Sequence, residues 1–505
     1  MYMLLAVRVP KRSWLANQSG QSWRYGGTSK RNPVFMTNNA RAGYQPRRWI
    51  GISFSHLPGL QHQAHKHHQK LSSHTVMVQN LPRDYDIAIV GGGIAGATLA
   101  VGLVRANVPV TLYESAKAFG EIGAGVALAA NAARAMELLA PDVKRGFDRV
   151  GTFNLSTAKK SVWFDFRKGV GTQGSDVNEG AGELITSVET PAGSAYVHRA
   201  HFLDEMVKLI PKGVAKFDKR LQDIETLPDG NVKLKFVDGT EAVHSAVVGC
   251  DGVKSRTRKV ILGENDPAAN AVFSGKYVYR GLIPMDKAAA LLGDEMARNS
   301  QMYFGYHGHV LTFPIQHGDV MNVVAFASKD EWKDPNWVVG TTKEDLTKDF
   351  AGFSKHVRDI ISMMENTDIW ALFHHLPART YTRDNMLVIG DAAHATTPNH
   401  GSGAAMAIED AYVLSSLLAD VHHASELRAA FQAFEKVRLY RTQKVVATSH
   451  EAGQLYDLEL PGYEDDVEKI AENLQKRMRW IWEEDLEQEV ADAKMFYAAA
   501  VKEKY

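Results

Sequence analysis

Gly91, Gly93 and Gly96 stand in the run Gly91-Gly92-Gly93-Ile94-Ala95-Gly96, and Glu114 follows 18 residues after the last of them. Glycines at this spacing let a backbone turn tightly, approach a pyrophosphate and pack a helix closely on a strand. An acid that far along accepts from a ribose 2′-hydroxyl and repels a 2′-phosphate. The chemistry is the anchoring of a dinucleotide, its phosphate charge held by backbone N–H groups at a helix N-terminus. A second acid, Asp391, ends the apolar run Leu387-Val388-Ile389-Gly390. That places it at the carboxyl edge of a sheet, where open α/β sheets bind ligands. Asp251-Gly252 precedes Arg256 and Arg258, and on its own reads as a β-turn.

The elements that must hold these residues can be read around them. The β-branched run 85–90 predicts a strand, 97–105 a helix and 109–114 a second strand, which puts the glycines in a strand–turn–helix unit. Residues 87–104 carry no charge and are long enough for a membrane helix. Five glycines among them favour the turn, so no membrane span is expected. Residues 404–418 have helical composition, and the unpaired amides around Gly403 and Ala404 carry about half a positive charge. Asp229-Gly230 and Asp238-Gly239 punctuate hairpins, and 276–327 predicts an antiparallel sheet. The glycine-rich stretch 169–195 reads as a flexible insert that could act as a lid. In 451–505, Leu474, Met478, Ile481 and Leu486 fall at helical spacing. They form either core or a homodimer element.

With 505 residues, 45% hydrophobic and 23% charged, the composition is globular; collagen-like, wholly disordered and disulfide-scaffold classes are excluded. The single Cys250 permits no internal disulfide and points to a reducing, intracellular compartment. The net charge of zero hides an asymmetry. Residues 1–83 hold 12 Lys+Arg and no Asp or Glu, leaving 46 against 58 in the remainder. The acidic remainder offers no case for nucleic acid. The basic segment is expected to be disordered. It reads as a mitochondrial presequence, a basic binding arm, or sequence upstream of a true start at Met77; the last is preferred, with a cytoplasmic location. His62, His65, His67 and His68 read as a solvated polar tract rather than a metal site.

Three further segments resemble the FAD-dependent aromatic hydroxylases, the single-component flavoprotein monooxygenases, and especially their salicylate-hydroxylase-like fungal branch. These are Glu121-Ile122-Gly123-Ala124-Gly125-Val126-Ala127, Gly249-Cys250-Asp251-Gly252, and Gly390-Asp391-Ala392-Ala393-His394 running on to Gly401-Ser402-Gly403. With Val197-His198-Arg199 and Tyr279-Arg280-Gly281-Leu282, the match covers 84–450. The resemblance implies an α/β fold in which a Rossmann-like FAD-binding domain is interleaved with an antiparallel-sheet substrate domain, followed by a helical C-terminus. The implied boundaries are 1–83 extension, 84–265 and 376–450 FAD-binding, 266–375 substrate, and 451–505 helical.

The same resemblance implies bound FAD, transient NADH or NADPH, O2 and a small aromatic substrate, with oxygen delivered from a flavin C4a-hydroperoxide. It carries cofactor contacts onto Gly125, Ala127, Arg199, Asp251, Asp391, Gly403 and Ala404, beside the fingerprint residues Gly91, Gly93, Gly96 and Glu114. Arg280 becomes the catalytic candidate, holding the substrate as a phenolate. Dearomatising relatives carry a Tyr before a Pro-Ile-like pair, whereas this chain has Phe313 before Pro314-Ile315. The lost hydroxyl favours a salicylate-type acid, hydroxylated with loss of CO2. A polyketide-derived phenol remains the alternative substrate, and a protein that retains FAD for structure or interaction remains the non-enzyme alternative. Trp480-Ile481-Trp482 lacks the Ile-Pro of a halogenase motif and reads as packing.

Overall fold

Ile87–Val90 is buried on both faces, as a parallel strand covered by helices on each side must be. The computed structural model describes residues 83–120, 125–171, 176–190, 193 and 195–503. The basic extension up to residue 82, the histidine run within it, Met77 and residues 121–124 lie outside the described residues. Ile87–Val90 sits in a six-stranded sheet ordered Thr382–Arg383, Met386–Val388, Ala246–Gly249, Ile87–Val90, Val110–Tyr113, Ala215–Lys216. Its neighbours pair parallel except at the Thr382–Arg383 edge. The glycine turn leads from the central strand into the helix Ile94–Arg105. The helix Gly403–Leu418, buried along most of its length, packs beside it.

A second sheet of eight strands runs Val338–Val339, Ile369–His375, Ala271–Pro284, Val320–Ser328, Gly308–Ile315, Gln301–Gly305, Val162–Lys168, Leu184–Glu189. It departs from the expected antiparallel sheet at one pair, because Gln301–Gly305 and Val162–Lys168 run parallel. The cause is chain order: Val162–Lys168 joins from far upstream, by the long connection a parallel pair requires. The stretch 169–195, expected as a flexible insert, contributes the edge strand Leu184–Glu189. Residues 172–175, 191–192 and 194 of it lie outside the described residues. The hairpins expected after residue 220 form a three-stranded sheet, Leu221–Thr226, Val232–Phe236 and Glu241–His244.

The C-terminal stripe is core. Leu474, Met478 and Ile481 pack with Trp163 and Trp482 under the large sheet, and Leu486 joins the core of the parallel sheet. Trp482 meets Trp163 edge-on at 5.3 Å. Between the helices Gly403–Leu418, Leu427–Tyr456 and Leu486–Lys502 lies a buried ion network. Arg438 pairs with Glu409 at 2.8 Å, Asp410 at 2.8 Å and Glu489 at 3.0 Å, while Arg441 holds Glu409 and Glu484. Among the described residues no helix is long and apolar enough to cross a membrane.

Candidate active site

The glycine turn is built for close approach. Gly91 has φ +103°, and a Cβ there would overlap the Cys250 carbonyl. A Cβ on Gly96 would overlap the Gly91 carbonyl oxygen, so the helix can sit this near the strand only with glycine. Gly93 caps Ile94–Arg105 without a side-chain hydrogen bond, and no acid occupies the first turn. The first amides are therefore left to a ligand. Glu114 lies at the end of Val110–Tyr113, with Oε2 accepting from the Gly92 N–H at 2.7 Å and Oε1 from the Ala116 N–H at 2.7 Å.

Asp391 starts the short helix Asp391–His394 after Gly390, whose φ is +58°. That turn is fixed from behind by Asp410, which accepts from the Gly390 N–H at 3.0 Å and contacts His394 Nε2 at 2.6 Å. Burial would raise the Asp410 pKa, but His394 and Arg438 outweigh it and hold the carboxyl down at about 2. Gly403 lies against Asp391: an added Cβ would come 3.9 Å from Asp391 Oδ1. Gly403–Leu418 also begins without a side-chain cap or a first-turn acid.

The glycine turn, Glu114, Asp391 and the start of Gly403–Leu418 border one cavity of about 580 Å3, within the range of small-molecule sites. Gly91, Gly93, Glu114, Gly125, Ala127, Arg199, Asp251, Arg280, Asp391, Gly403 and Ala404 line it; Gly96 stands behind the turn. Its far wall is the large sheet. Strand alternation and register bring Val278 and Arg280 beside Val324 and Phe326, and Leu311 and Phe313 beside Asn322 and Val324. Phe313 stacks on Tyr196 at 4.5 Å, and the Tyr196 hydroxyl donates to the Trp163 carbonyl at 2.6 Å.

Arg280 is mostly buried on this wall. Its guanidinium lies 5.0 Å from the Trp370 ring centroid, and Nε has no hydrogen-bond partner. No carboxylate pairs with it among the described residues. Burial, and then the like charge of Arg199, lower its pKa to about 10. A buried cation without an anion is costly unless a ligand supplies one. Burial also lowers the pKa of Arg199, against the opposing charge of Asp391.

The Asp-Gly segment borders the cavity and is held by its own hydrogen bonds. The Asp251 carboxylate caps the helix Arg256–Leu262, accepting from Ser255 Oγ at 2.5 Å, the Arg256 N–H at 2.8 Å and the Thr257 N–H at 3.0 Å. Burial raises its pKa against those bonds. Arg258 is spent on the carbonyls of Ala268, Ala392, Ala393 and Leu376. Arg256 pairs with Glu264 and Asp223. What the segment gives the cavity is mainly a rigid wall. Sequence reasoning did not name Trp163, Phe164, Met302, Asn322 or Phe326, which line the cavity. Strand alternation could have grouped the sheet residues among them, but not said which face meets the glycine turn.

The uncapped helix N-termini, the glycine positions that admit no Cβ and the size of the cavity fit a dinucleotide. A model of an FAD binding domain matches residues 216–449. A 6-methylsalicylate 1-monooxygenase of Aspergillus terreus is 44% identical over 421 residues, covering 82% of this chain and 93% of the relative. The chain belongs to the FAD-dependent monooxygenases of the salicylate hydroxylase type. A salicylate hydroxylase of Pseudomonas putida is 36% identical, covering 81% of this chain and 94% of that enzyme. The solved structure of a salicylate hydroxylase substrate complex superposes with a TM-score of 0.72 at 32% identity, over 81% of this chain and 98% of that one. This monooxygenase is a flavoprotein oxidoreductase with FAD as its cofactor, and NAD(P)H is the co-substrate typical of its family.

Proposed function

We propose that this monooxygenase converts an ortho-hydroxybenzoate, of the 6-methylsalicylate kind, to a catechol with release of CO2. The observation that carries the reading is the mostly buried Arg280 guanidinium, with which no carboxylate pairs among the described residues, on an apolar sheet face in the same cavity as the dinucleotide cradle. The names of the fungal and bacterial relatives support the substrate class. In this reading 84–265 and 376–450 form the FAD-binding domain, and 266–375 the substrate domain, whose sheet borrows Val162–Lys168 and Leu184–Glu189.

FAD held in this cradle would supply the redox chemistry, accepting a hydride from NAD(P)H and providing one oxygen atom of O2 as an electrophile. The remaining work is done by the chain. Gly91, Gly93 and the first amides of the Ile94 helix would hold the pyrophosphate, Gly96 allowing that helix to pack close behind the turn; Glu114 and Asp391 would hold ribose and ribityl hydroxyls, and Arg199 and Asp251 would shape the cofactor wall. Gly125 and Ala127 would border the flavin ring, and the Gly403 and Ala404 amides would stabilise negative charge on it.

Arg280 holds the phenolic oxygen. A phenol titrates near pH 10, and an adjacent guanidinium lowers such a group by about 1–3 units. The ring is thereby poised as the more electron-rich phenolate. A carbon–oxygen bond forms at the carbon bearing the carboxylate, leaving a dienone. The carbon–carboxylate bond then breaks, its electron pair restores the aromatic ring, and CO2 leaves. An ortho-hydroxybenzoate, NAD(P)H, O2 and two protons thus give a catechol, CO2, NAD(P)+ and water. The apolar wall of Leu311, Phe313, Val324 and Phe326 excludes water from this chemistry. The test is a panel of 2-, 3- and 4-hydroxybenzoates with the FAD-loaded enzyme. Catechol formation from the 2-hydroxy acids alone is expected; turnover of the 3- or 4-isomers at equal efficiency would contradict it.

A further inference from the structure

On the cavity face of the large sheet, Arg280 and Asn322 stand among apolar and aromatic neighbours such as Val278, Leu311, Phe313, Val324 and Phe326. Asn322 is 2% exposed, and its Nδ2 has no hydrogen-bond partner among the described residues. Burying an unpaired amide N–H is unfavourable, and the packing around it does not call for one. Its cross-strand neighbours are Phe313 and Leu282. Gly125 leaves room beside it, for a Cβ there would come 2.6 Å from the Phe313 ring and 3.2 Å from Asn322 Cγ. Arg280 lies opposite Val324, so Asn322 is its diagonal neighbour on the same face, within reach of a long side chain.

We propose that Asn322 recognises the substrate carboxylate, its amide N–H donating to one carboxylate oxygen while Arg280 holds the phenolate. This rests on the reading of the cavity as an ortho-hydroxybenzoate site. The division of labour follows from the product. The carboxylate must leave as neutral CO2, and a guanidinium paired with it would favour the anion, since charge-assisted bonds with an ionised donor and acceptor are the strong ones. An uncharged amide orients the carboxylate and gives it up more readily. Phe313, which has no hydroxyl, leaves Asn322 as the uncharged donor on this wall.

The experiment compares Asn322→Leu with the parent enzyme, both FAD-loaded, by titrating flavin absorbance with 6-methylsalicylate and with 3-methylphenol, the same ring without its carboxylate. Leucine keeps the branching at Cγ and removes the donor. The acid is expected to bind roughly 10- to 100-fold more weakly, the range of a hydrogen bond to a charged group, with the phenol changed less than about 2-fold. Asn322→Asp, which sets one carboxylate against another, is expected to weaken the acid further at neutral pH. Equal weakening of both ligands, or no change for the acid, overturns the assignment. Release of CO2 by the parent enzyme is scored in parallel. Its absence removes the reading on which the proposal stands, whereas an unaltered acid-over-phenol preference in an enzyme that releases CO2 overturns the role of Asn322 alone.

Discussion

Arg280 and Asp391 border the same cavity from opposite sides, and replacing each separates one function from the other. Arg280→Ala is expected to retain FAD while coupled hydroxylation falls about 100-fold, the scale of a lost charge-assisted contact; product formed per NAD(P)H oxidised reads it. The charge on Arg280 also sets an upper pH limit. Burial, and then Arg199, bring its pKa to about 10. An anion binds the protonated form, so affinity for the acid should hold below that value and weaken as pH rises through about 10, measured by flavin-perturbation titration. Asp391→Ala should instead lose FAD on dialysis, and a fully flavin-loaded variant would contradict its place on the cofactor. At this scale the fingerprint glycines, Glu114 and Asp391 were legible because their spacing encodes a backbone geometry. Asn322 was not, since a lone Asn in a strand carries no periodic signal. Nor does the sequence show that the Arg258 guanidinium is held by four carbonyls, from Ala268, Ala392, Ala393 and Leu376.

The helix Gly403–Leu418 ties the two ligand halves together, presenting its first amides to the cavity and its Glu409–Asp410 pair to the buried arginines. Arg438→Met would leave Glu409, Asp410 and Glu489 facing one another without their central cation. A cost of about 3–5 kcal/mol is expected for breaking such a buried pair, seen as a lower urea midpoint. Acid acts on the same element. The folded pKa of Asp410 is about 2, against 3.8 for the ordinary carboxyl. Its contribution is therefore complete above about pH 4 and is lost as pH falls toward 2. Flavin release should accompany that loss, because Asp410 also fixes the Gly390 turn before Asp391. Local elements such as the strand–turn–helix and the hairpins could be read from periodicity and turn residues. The parallel pairing of Val162–Lys168 with Gln301–Gly305 could not, since it joins strands more than 130 residues apart and no local pattern records the partner.

Across the whole chain, the zero net charge resolves into a basic segment, 1–83, with 12 Lys+Arg and no acid, and an acidic remainder with 46 against 58. The fold class was readable because strand, glycine turn and terminal acid recur in a fixed order. How two sheets close on one cavity was not, because that depends on contacts between distant segments. In the proposed reaction the enclosure matters: the cofactor cradle and the apolar sheet face share one space, so a ring bound there would sit beside the cofactor and away from water. The most direct measurement supplies the FAD-loaded enzyme with carboxyl-13C-labelled 6-methylsalicylate, NAD(P)H and O2 and counts labelled CO2 per NAD(P)H consumed. A ratio near one, with a catechol as the product, is the expected result. A hydroxylated product that keeps its labelled carboxylate would contradict it.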